Sequence, residues 1–312
     1  MHTSSITSSD ILEVESRNNA IGWDLRYVRL DHGDFEAHSQ QSRVGDTRIL
    51  RETFSGPLHV FGRQKSDFRA VALATEPFSG LRWMGESVGF NDLIVAEPGD
   101  EFDLVTGAEL GLWTVMLSPH RVDAVAKDLG VEAFATGRSH LARLSPSAAR
   151  TLRSSLTRLC DPGTDAVTAA GLEARFLQIL IGDLTRNDRP AILEFPSTAR
   201  VRHARTAREF IDANFTSPLR MEQICSAAGT SARTLQRSFQ EVFGTTPLVY
   251  ARTRRLDLVR RTLRESRGAT SVSEAARAAG FEHLGRFAGR YRAMFGESPR
   301  ETLAGNGTRD VG

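Results

Sequence analysis

The chain has little lysine and little cysteine. Of its 40 basic residues only Lys65 and Lys127 are lysines, and Cys160 and Cys225 are its two cysteines. Two cysteines are too few for a disulfide framework, so each is expected to be reduced and buried. The sequence has no apolar run of the roughly 18 residues that a membrane span requires, and no recognisable signal peptide. We therefore expect a cytoplasmic protein that does not contact a membrane.

Motifs for catalysis and metal binding are also lacking. The eight histidines are scattered along the chain, and no two of them have the spacing of metal ligands. The sequence has no Gly-x-Ser-x-Gly elbow, no phosphate-cradling loop and no Gly-x-Gly-x-x-Gly after a predicted strand. Carboxylates cluster at Asp100, Glu101 and Asp103, where a solvated turn explains them better than acid–base chemistry. We expect no catalytic residues, no metal and no cofactor.

Charge is distributed unevenly along the chain. From Thr198 to Leu303 there are 19 arginines and 10 acidic residues, a balance of +9, whereas the remainder has a balance of −7. The net charge of +2 for the whole chain hides this asymmetry. A basic segment joined to an acidic one is the electrostatic pattern of a nucleic-acid-binding module fused to another domain.

Two stretches of the basic segment, 227–247 and 278–299, repeat each other. Each predicts a short helix, a glycine, a second helix that ends in an aromatic residue, and then Gly-x-x-Pro. The copies are offset by 51 residues at the first glycine (Gly229 and Gly280) and by 52 at the second. Two helix-turn-helix units in this arrangement predict a protein that reads two successive major-groove segments of DNA.

Residues that stop and cap helices support the repeat. Glycine suits the left-handed position that ends a helix, and serine followed three residues later by glutamate forms a capping box. The predicted stops are Gly229, Gly244, Gly280 and Gly296. The predicted caps are Ser231, Thr246 before Pro247, Ser271 with Glu274, and Ser298 with Glu301 around Pro299.

The second helix of each unit is expected to lie in the major groove. Arginine can bind guanine, and glutamine adenine, through paired hydrogen bonds worth about 1–3 kcal/mol of discrimination. The predicted DNA-binding residues are Arg233, Thr234, Gln236 and Arg237 in the first unit and His283, Arg286 and Arg290 in the second. His283 could equally contact phosphate or face solvent. Between the units, surface solubility with some phosphate contact is expected of Arg252, Arg254, Arg255, Arg260 and Arg261.

From about Ala204 to Leu303, the last third of the chain, these residues resemble a known family. The motifs that carry the resemblance are Leu235-Gln236-Arg237-Ser238-Phe239, Phe243-Gly244-Thr245-Thr246-Pro247, Arg255-Leu256, Ala279-Gly280-Phe281 and Phe295-Gly296-Glu297-Ser298-Pro299. They resemble the DNA-binding domain of the AraC/XylS transcriptional regulators. The resemblance implies two helix-turn-helix units joined by one long helix, binding to promoter DNA and an effect on RNA polymerase recruitment.

The family pattern also points to individual base-reading positions. In the first unit they fall on Arg233, Gln236 and Arg237, and in the second around Leu284, Gly285, Arg286 and Gly289. The second unit departs from the pattern, because serine is usual where Gly285 stands and arginine is common where Gly289 stands. We therefore expect its contacts to come from Arg286 and Arg290. Arg220 likewise stands where a capping serine or threonine is usual.

The first two thirds of the chain are predicted to be rich in β-strands. Regular spacing between turns indicates a sandwich or small barrel, followed by three helices at about 118–129, 146–160 and 164–185. The candidate strands are Asp24–Leu30, Thr47–Phe54, His59–Arg63, Ala70–Thr75, Ser87–Ala96, Glu101–Val105 and Leu110–Leu117. The last helix has an apolar stripe that could be core or a dimer seam, formed by Leu172, Phe176, Ile179, Leu180 and Leu184.

The turn Ala96-Glu97-Pro98-Gly99-Asp100 and the domain order resemble the cupin-like sensor domain of AraC-type regulators. The resemblance implies a domain that encloses a small-molecule effector and often forms a homodimer. Candidate effector-binding residues on the predicted strands are Phe61, Trp83, Phe102, Trp113 and Met116. Each of them could equally be ordinary core, and His59 is expected to be a core histidine with a hydrogen-bond partner.

Together these patterns predict an α+β protein, with a cupin-like β-sandwich or barrel followed by an all-α double helix-turn-helix domain. The predicted segments are a flexible tail (1–18), a sensor and dimerisation domain (19–185), a linker (186–203), the DNA-binding domain (204–303) and a second tail (304–312). The predicted function is an effector-responsive regulator of transcription. The alternatives are a regulator controlled by a partner or by its own abundance, and an enzyme that carries DNA-binding helices.

Overall fold

The structure, a computed structural model, describes residues 2–65, 67–132, 137–186, 198–266 and 268–305. The described residues fall into two compact units. One comprises Met1–Tyr27 and Phe35–Phe195, and the other comprises Val28–Asp34 and Pro196–Gly312. Most of the predicted linker, 187–197, lies outside the described residues, as do 306–312 of the second predicted tail.

The N-terminal unit contains two β-sheets, which confirms the predicted β-rich fold. Its strands are β1 (His2–Ser8), β2 (Trp23–Arg29), β3 (Ala37–Val44), β4 (Thr47–Phe54), β5 (Leu58–Gln64), β6 (Arg69–Ala74), β7 (Arg82–Trp83), β8 (Glu86–Ser87), β9 (Asp92–Ala96), β10 (Glu101–Val105), β11 (Leu110–Leu117) and β12 (His140–Arg143). A seven-stranded sheet has the order β1-β3-β4-β11-β6-β9-β12, and a five-stranded sheet has the order β2-β5-β10-β7-β8.

The prediction of a flexible tail over residues 1–18 is wrong. Strand β1 pairs antiparallel with β3 along its whole length, and helix α1 (Ile11–Asn19) follows it. Asp10 caps this helix by accepting a hydrogen bond from the Leu12 N–H at 3.1 Å. Ile11 and Val14 are buried in the core between the sheets. The segment is ordered because these apolar side chains and the strand pairing compensate for its polar composition.

The predicted strand Ser87–Ala96 is also corrected, because the chain turns inside it. Two short strands, β8 and β9, replace the single strand. Between them the N–H of Gly89 donates to the Asp92 carboxylate at 2.7 Å, which holds the turn. Strand β3 is absent from the sequence-based prediction, because its sequence Ala-His-Ser-Gln-Gln-Ser-Arg-Val has no alternation of apolar residues.

Strand β11 is buried on both faces because layers cover the seven-stranded sheet from both sides. Successive side chains of a strand point to opposite faces. Trp113 and Val115 accordingly belong to the core beneath the helices, whereas Leu112 and Met116 belong to the core between the two sheets. The central position of β11, between β4 and β6, therefore anchors two separate cores.

Three helices cover the outer face of this sheet and match the predicted helices closely. They are α2 (Pro119–Leu129), α3 (Pro146–Leu159) and α4 (Ala166–Arg186). Helix α2 ends at Gly130 in the left-handed conformation, with φ 67°. Of the stripe on α4, Leu172, Phe176 and Leu180 are core, buried against the sheet and α3. Ile179 and Leu184 are half-buried, so a dimer seam stays a prediction for these two residues.

The C-terminal unit is helical and contains both predicted helix-turn-helix units. Its helices are α5 (Ala199–Asn214), α6 (Met221–Ala228), α7 (Ala232–Phe243), α8 (Pro247–Glu265), α9 (Val272–Ala278), α10 (Leu284–Phe295) and α11 (Pro299–Ala304). Helix α5 begins five residues before the predicted domain start at 204, because Thr198 caps it by accepting from the Val201 N–H. Helices α6 and α7 form the first unit, α9 and α10 the second, and α8 joins them.

The stops and caps lie where the sequence predicts them, except that the side chain of Thr246 makes no capping hydrogen bond at the start of α8. The side chains of Ser231, Ser271 and Ser298 accept hydrogen bonds from the first turns of α7, α9 and α11. The left-handed glycines at the helix ends are Gly229, Gly244, Gly280 and Gly296. At Arg220 the missing capping side chain is offset in part by Gln223, whose side-chain oxygen accepts from the Arg220 N–H at 2.9 Å. These local interactions fix both ends of α7 and the C-terminal end of α10.

The Gly280 turn of the second helix-turn-helix unit packs directly on the loop that follows α5. Its φ is +84°, and a Cβ at this position would lie 2.2 Å from the main-chain oxygen of Thr216. Gly280 is thus required twice, for its left-handed backbone and for the close approach of two main chains.

Alanine at Gly280 is expected to destabilise the protein by about 1–3 kcal/mol, because it combines backbone strain with a collision. Gly285→Ala is the matched control, because Gly285 is exposed on α10 and nothing lies within 4 Å of the position that an added methyl group would occupy. That substitution is expected to stabilise the helix by about 0.5–1 kcal/mol. Urea denaturation followed by circular dichroism at the helical band measures both effects. Equal effects of the two substitutions would contradict the close approach.

Candidate functional site

Helix α7 presents a polar face on which the predicted reading residues of the first unit lie together. Arg233, Gln236 and Arg237 are exposed, whereas Leu235 and Phe239 on the opposite side are fully buried. Side chains three and four residues apart share one face of a helix, so the three polar residues form one surface. Thr234 is exposed as well, but its hydroxyl lies 3.0 Å from the capping Ser231 hydroxyl, which ties it to the start of the helix.

Helix α10 presents a second polar face with a different composition. Arg286 and Arg290 are exposed one turn apart, and His283 occupies the N-cap position just before the helix. The exposed glycines Gly285 and Gly289 lie on the same helix, with open space where a Cβ would be. Beside its two arginines the helix therefore offers main chain without side chains at Gly285 and Gly289.

Cationic side chains converge on a cleft between α8 and α10. The cleft has a volume of about 380 Å³, and its lining includes Arg252, Arg255, Glu282, Arg286 and Arg290. Burial lowers the pKa of Arg252, and the nearby positive charge of Arg290 lowers it further. An anion bound in the cleft would relieve this repulsion. The cleft is thus suited to a phosphate-bearing ligand.

Three of the five arginines expected to serve solubility on α8 instead form ion pairs within the unit. Arg254 lies 2.8 Å from Asp212 of α5. Arg260 and Arg261 pair with Glu297 at 3.1 Å and Asp257 at 2.8 Å, and both are buried. For these three residues the expected role in surface solubility is wrong. Arg252 is the exposed arginine of the five.

The predicted effector-binding residues are distributed over different parts of the N-terminal unit. Phe102 lines a cavity between the two sheets, and Trp83 packs edge-on against Phe102 at 4.7 Å between ring centroids. Phe61 stacks on the buried His59 at 4.6 Å. Trp113 and Met116 lie on opposite faces of β11, so the two cannot line one cavity. The structure favours a role in core packing for Trp113 and Met116.

The cavity is small and apolar except at one end. Its volume is about 30 Å³, and most of its lining is aliphatic or aromatic. At the polar end, the side-chain amide of Asn18 donates to the Tyr27 hydroxyl at 2.7 Å and to Glu52 at 2.8 Å. The Oδ1 of Asn18 is buried without a hydrogen-bond partner among the described residues. The sequence analysis does not identify Asn18, because this residue lies in the segment predicted to be a flexible tail. Asp10 followed three residues later by Glu13 is the sequence signal for the start of helix α1, which carries Asn18.

Burial controls the ionisation of this polar end. Desolvation raises the pKa of Glu52 from 4.5 to about 7, although the Asn18 hydrogen bond and the more distant Arg17 charge oppose the shift. The pKa of Tyr27 is also raised well above its ordinary value, first by burial and then by the Glu52 charge. Near neutral pH the cavity therefore contains a carboxyl group poised between its neutral and charged forms.

The histidine and cysteine side chains that could in principle take part in catalysis have structural roles instead. His59, the expected core histidine, lies 3.2 Å from the Asp103 carboxylate, and both side chains are buried. Burial raises the pKa of the Cys160 thiol to about 11 and also raises that of Cys225. Raised thiol pKa values disfavour the nucleophilic thiolate. Within the described ranges, no group of three or more histidine, cysteine or acidic side chains is placed to hold a metal ion. No helix in those ranges is long and apolar enough to cross a membrane.

Comparison with known proteins identifies a matching family model and similar relatives. A family model described as a helix-turn-helix domain matches residues 224–305. An XylDLEGF operon transcriptional activator of Pseudomonas putida is 41% identical over 97 residues, which are 31% of this chain and 62% of the relative. A probable thc operon regulatory protein of Rhodococcus erythropolis is 37% identical over 118 residues, 38% of this chain and 36% of the relative. The chain thus matches less than two thirds of either relative.

A solved structure also aligns with part of the chain. It is a probable AraC family transcriptional regulator from Rhodopseudomonas palustris, 39% identical, with a TM-score of 0.31. The alignment covers 33% of this chain and 96% of that one.

The raised pKa of Glu52 predicts a dependence of stability on pH. Between pH 4.5 and about 7 the folded protein binds more protons at this group than the unfolded chain does. Its contribution to stability is therefore fully present below pH 4.5 and is lost as the pH rises through about 7. A shift of this size corresponds to about 3 kcal/mol. Glu52→Gln removes the titration, so urea denaturation of the two proteins should show a stability difference that changes across this window. A constant difference would contradict the assignment.

Proposed function

Because the chain belongs to the AraC/XylS family of transcriptional regulators, we propose that it binds promoter DNA sequence-specifically and activates transcription in response to a small effector. The observation that carries the DNA-binding part is the duplication of the exposed arginine face. The faces of α7 and α10 follow a left-handed glycine turn in two copies of one motif, and each bears arginines one turn apart.

In this proposal α7 and α10 enter adjacent major grooves and differ in how they bind. Arg233, Gln236 and Arg237 of α7 have the side chains and spacing for contacts with base edges. On α10, Arg286 and Arg290 lie beside the glycines Gly285 and Gly289 and line the cationic cleft with Arg252. The first unit would therefore supply most of the base discrimination, and the second would combine base contacts with phosphate contacts.

Activation is the direction of control that the relatives support. The Pseudomonas putida relative is a transcriptional activator of an operon, and the family resemblance implies recruitment of RNA polymerase. We propose the same role for this chain, with RNA polymerase as the partner.

The effector site in this proposal is the cavity between the sheets. Its apolar walls and unpartnered acceptor at Asn18 favour a small, mainly apolar molecule with an N–H or O–H donor. At about 30 Å³ the cavity has room for about one water, whereas a benzene ring needs on the order of 150 Å³. An effector must then displace lining side chains. That rearrangement would be the signal that changes dimer geometry or linker packing, and with it the affinity for DNA.

The small size of the cavity also favours the second candidate function. A regulator controlled by a partner protein or by its own abundance needs no internal ligand site. The two candidates differ in whether any small molecule stabilises the N-terminal unit and changes the affinity of the full chain for its own operator.

The proposal is tested first by selecting genomic fragments that bind to the purified full-length protein at near-physiological salt. The expected result is one enriched motif that spans two adjacent major-groove turns. Uniform, salt-sensitive retention of all fragments would show that the protein binds only the DNA backbone under these conditions.

Removal of the Arg237 side chain by Arg237→Ala is expected to weaken binding to the enriched motif by about 1–3 kcal/mol and to relax the preference at one base position. Arg292→Ala is the control, because Arg292 is exposed on α10 about half a turn of the helix away from Arg290. It removes the same charge and is expected to have a small effect that is equal on all sequences. Fluorescence anisotropy on the motif and on single-base variants measures both. An equal loss on every sequence for Arg237→Ala would make Arg237 a phosphate contact.

Ligand chemistry at the cavity can be tested with phenol, aniline, indole and toluene. The first three each join an aromatic ring to a donor, and they are expected to raise the unfolding temperature more than toluene does, because only they can satisfy Asn18. In Asn18→Leu this preference should disappear, although the ring compounds could still bind. Thermal unfolding curves at increasing ligand concentration give the comparison. No shift with any compound would favour control by a partner or by abundance.

A further inference from the structure

Arg255, near the middle of α8, binds main-chain carbonyls of the loop that precedes the first helix-turn-helix unit and of the turn within the second. Its Nε donates to the Phe215 oxygen, and its Nη2 donates to the Ser217 oxygen at 2.6 Å. Its Nη1 donates to the Gly280 oxygen at 3.3 Å. Phe215 and Ser217 belong to the loop between α5 and α6, whereas Gly280 is the turn of the second unit. One guanidinium thus bridges the two halves of the DNA-binding unit.

The bridge lies at a close approach of two main chains. Thr216 lies between the two loop residues that accept from Arg255, and its main-chain oxygen is the atom that a side chain at Gly280 would strike. Burial lowers the pKa of Arg255, and the neighbouring Arg252 charge lowers it further, while Glu282 opposes the shift. A cation is nevertheless favoured here, because the carbonyls at the end of α5 carry the negative end of the helix dipole.

We propose that Arg255 is a positioning residue that fixes the distance and angle between the reading helices α7 and α10, and so sets the spacing of the two half-sites that the protein accepts. The inference rests on the proposed binding of adjacent major grooves. Only arginine has donors in a planar fork that can reach three carbonyls in different directions, whereas lysine has a single ammonium group.

A role for Arg255 as one more phosphate contact is the competing explanation, since the side chain also lines the cationic cleft. The hydrogen bonds argue against it, because all three nitrogens of the guanidinium already donate to main-chain oxygens. Arg252, one turn earlier on α8, is exposed and lies in the same cleft, so it provides a matched comparison for the phosphate role.

The first test compares Arg255→Lys and Arg252→Lys, which both keep the positive charge. The operators contain the two half-sites at their native spacing, with one base pair inserted, with one removed, or as one half-site alone. One base pair moves the second half-site by about 3.4 Å along the helix axis and rotates it by about 34°. Arg255→Lys is expected to bind the operator with native spacing about tenfold more weakly than the wild type and to bind the single half-site with unchanged affinity. Its affinity should also depend less on the spacing between the half-sites.

Arg252→Lys should leave the discrimination between spacings unchanged. A loss for Arg255→Lys that is the same on all four DNA molecules, with a weaker dependence on salt, would show a phosphate contact and overturn the proposal. Affinity and spacing preference equal to those of the wild type would overturn it as well.

The second test needs no DNA and therefore separates this inference from the proposed function. Spin labels on Gln240→Cys of α7 and Arg292→Cys of α10, in a Cys225→Ser background, report the distribution of distances between the helices by pulsed electron paramagnetic resonance. The wild-type residue at 255 should give a narrow distribution, and Arg255→Lys and Arg255→Gln broad ones. Circular dichroism verifies that each variant is folded. If Arg255→Lys does not fold, Arg255→Gln is used in its place. Distance distributions that are the same in the variants and the wild type would overturn the positioning role. If the wild-type protein instead binds no DNA with two half-sites, only the proposed function is overturned.

Discussion

Arginine side chains that bind partners inside the protein hold the DNA-binding unit in one arrangement. Helix α8 joins the two helix-turn-helix units, and its arginines contact the elements on either side of it. Arg254 pairs with Asp212 of α5, Arg260 with Glu297 near α11, and Arg255 with main-chain carbonyls of both halves. If these contacts were absent, α8 would be a helix with charged side chains at positions that face the core, and burying them would be costly.

Because several arginines are paired inside the fold, the net charge of the segment overstates the positive charge on its surface. A balance of +9 from Thr198 to Leu303 indicates a DNA-binding module, yet several of these arginines are neutralised or occupied inside the fold. The exposed cations on the reading faces and in the cleft are a smaller group: Arg233, Arg237, Arg252, Arg286 and Arg290. Bulk charge indicates the class of partner, whereas the proposed contact surface is limited to the few arginines that are exposed on α7, on α10 and in the cleft.

Local signals in the sequence are sufficient for most helices of both units and insufficient for part of the β-strands. Ser231 and Gly244 mark the two ends of α7 because capping and left-handed turns depend on neighbouring residues only. Strand β3 has no such signal, since its polar residues are held by pairing with β1 and β4 rather than by their own pattern. The contacts of Arg255 cannot be predicted either, because they join residues 25 to 40 positions apart in the chain.

The N-terminal unit shows how strand periodicity limits which side chains can share a cavity. Trp113 and Met116 are three positions apart on one strand, so the period of two places them on opposite faces, and only one of them can face the space between the sheets. Phe102 does line the cavity there. Asn18 reaches it from α1, which burial of Ile11 and Val14 holds against the sheets. A buried amide that shares its donors between Tyr27 and Glu52 and leaves an acceptor unused is costly in a purely structural core. That cost is the physical reason why we propose ligand binding at the polar end of the cavity.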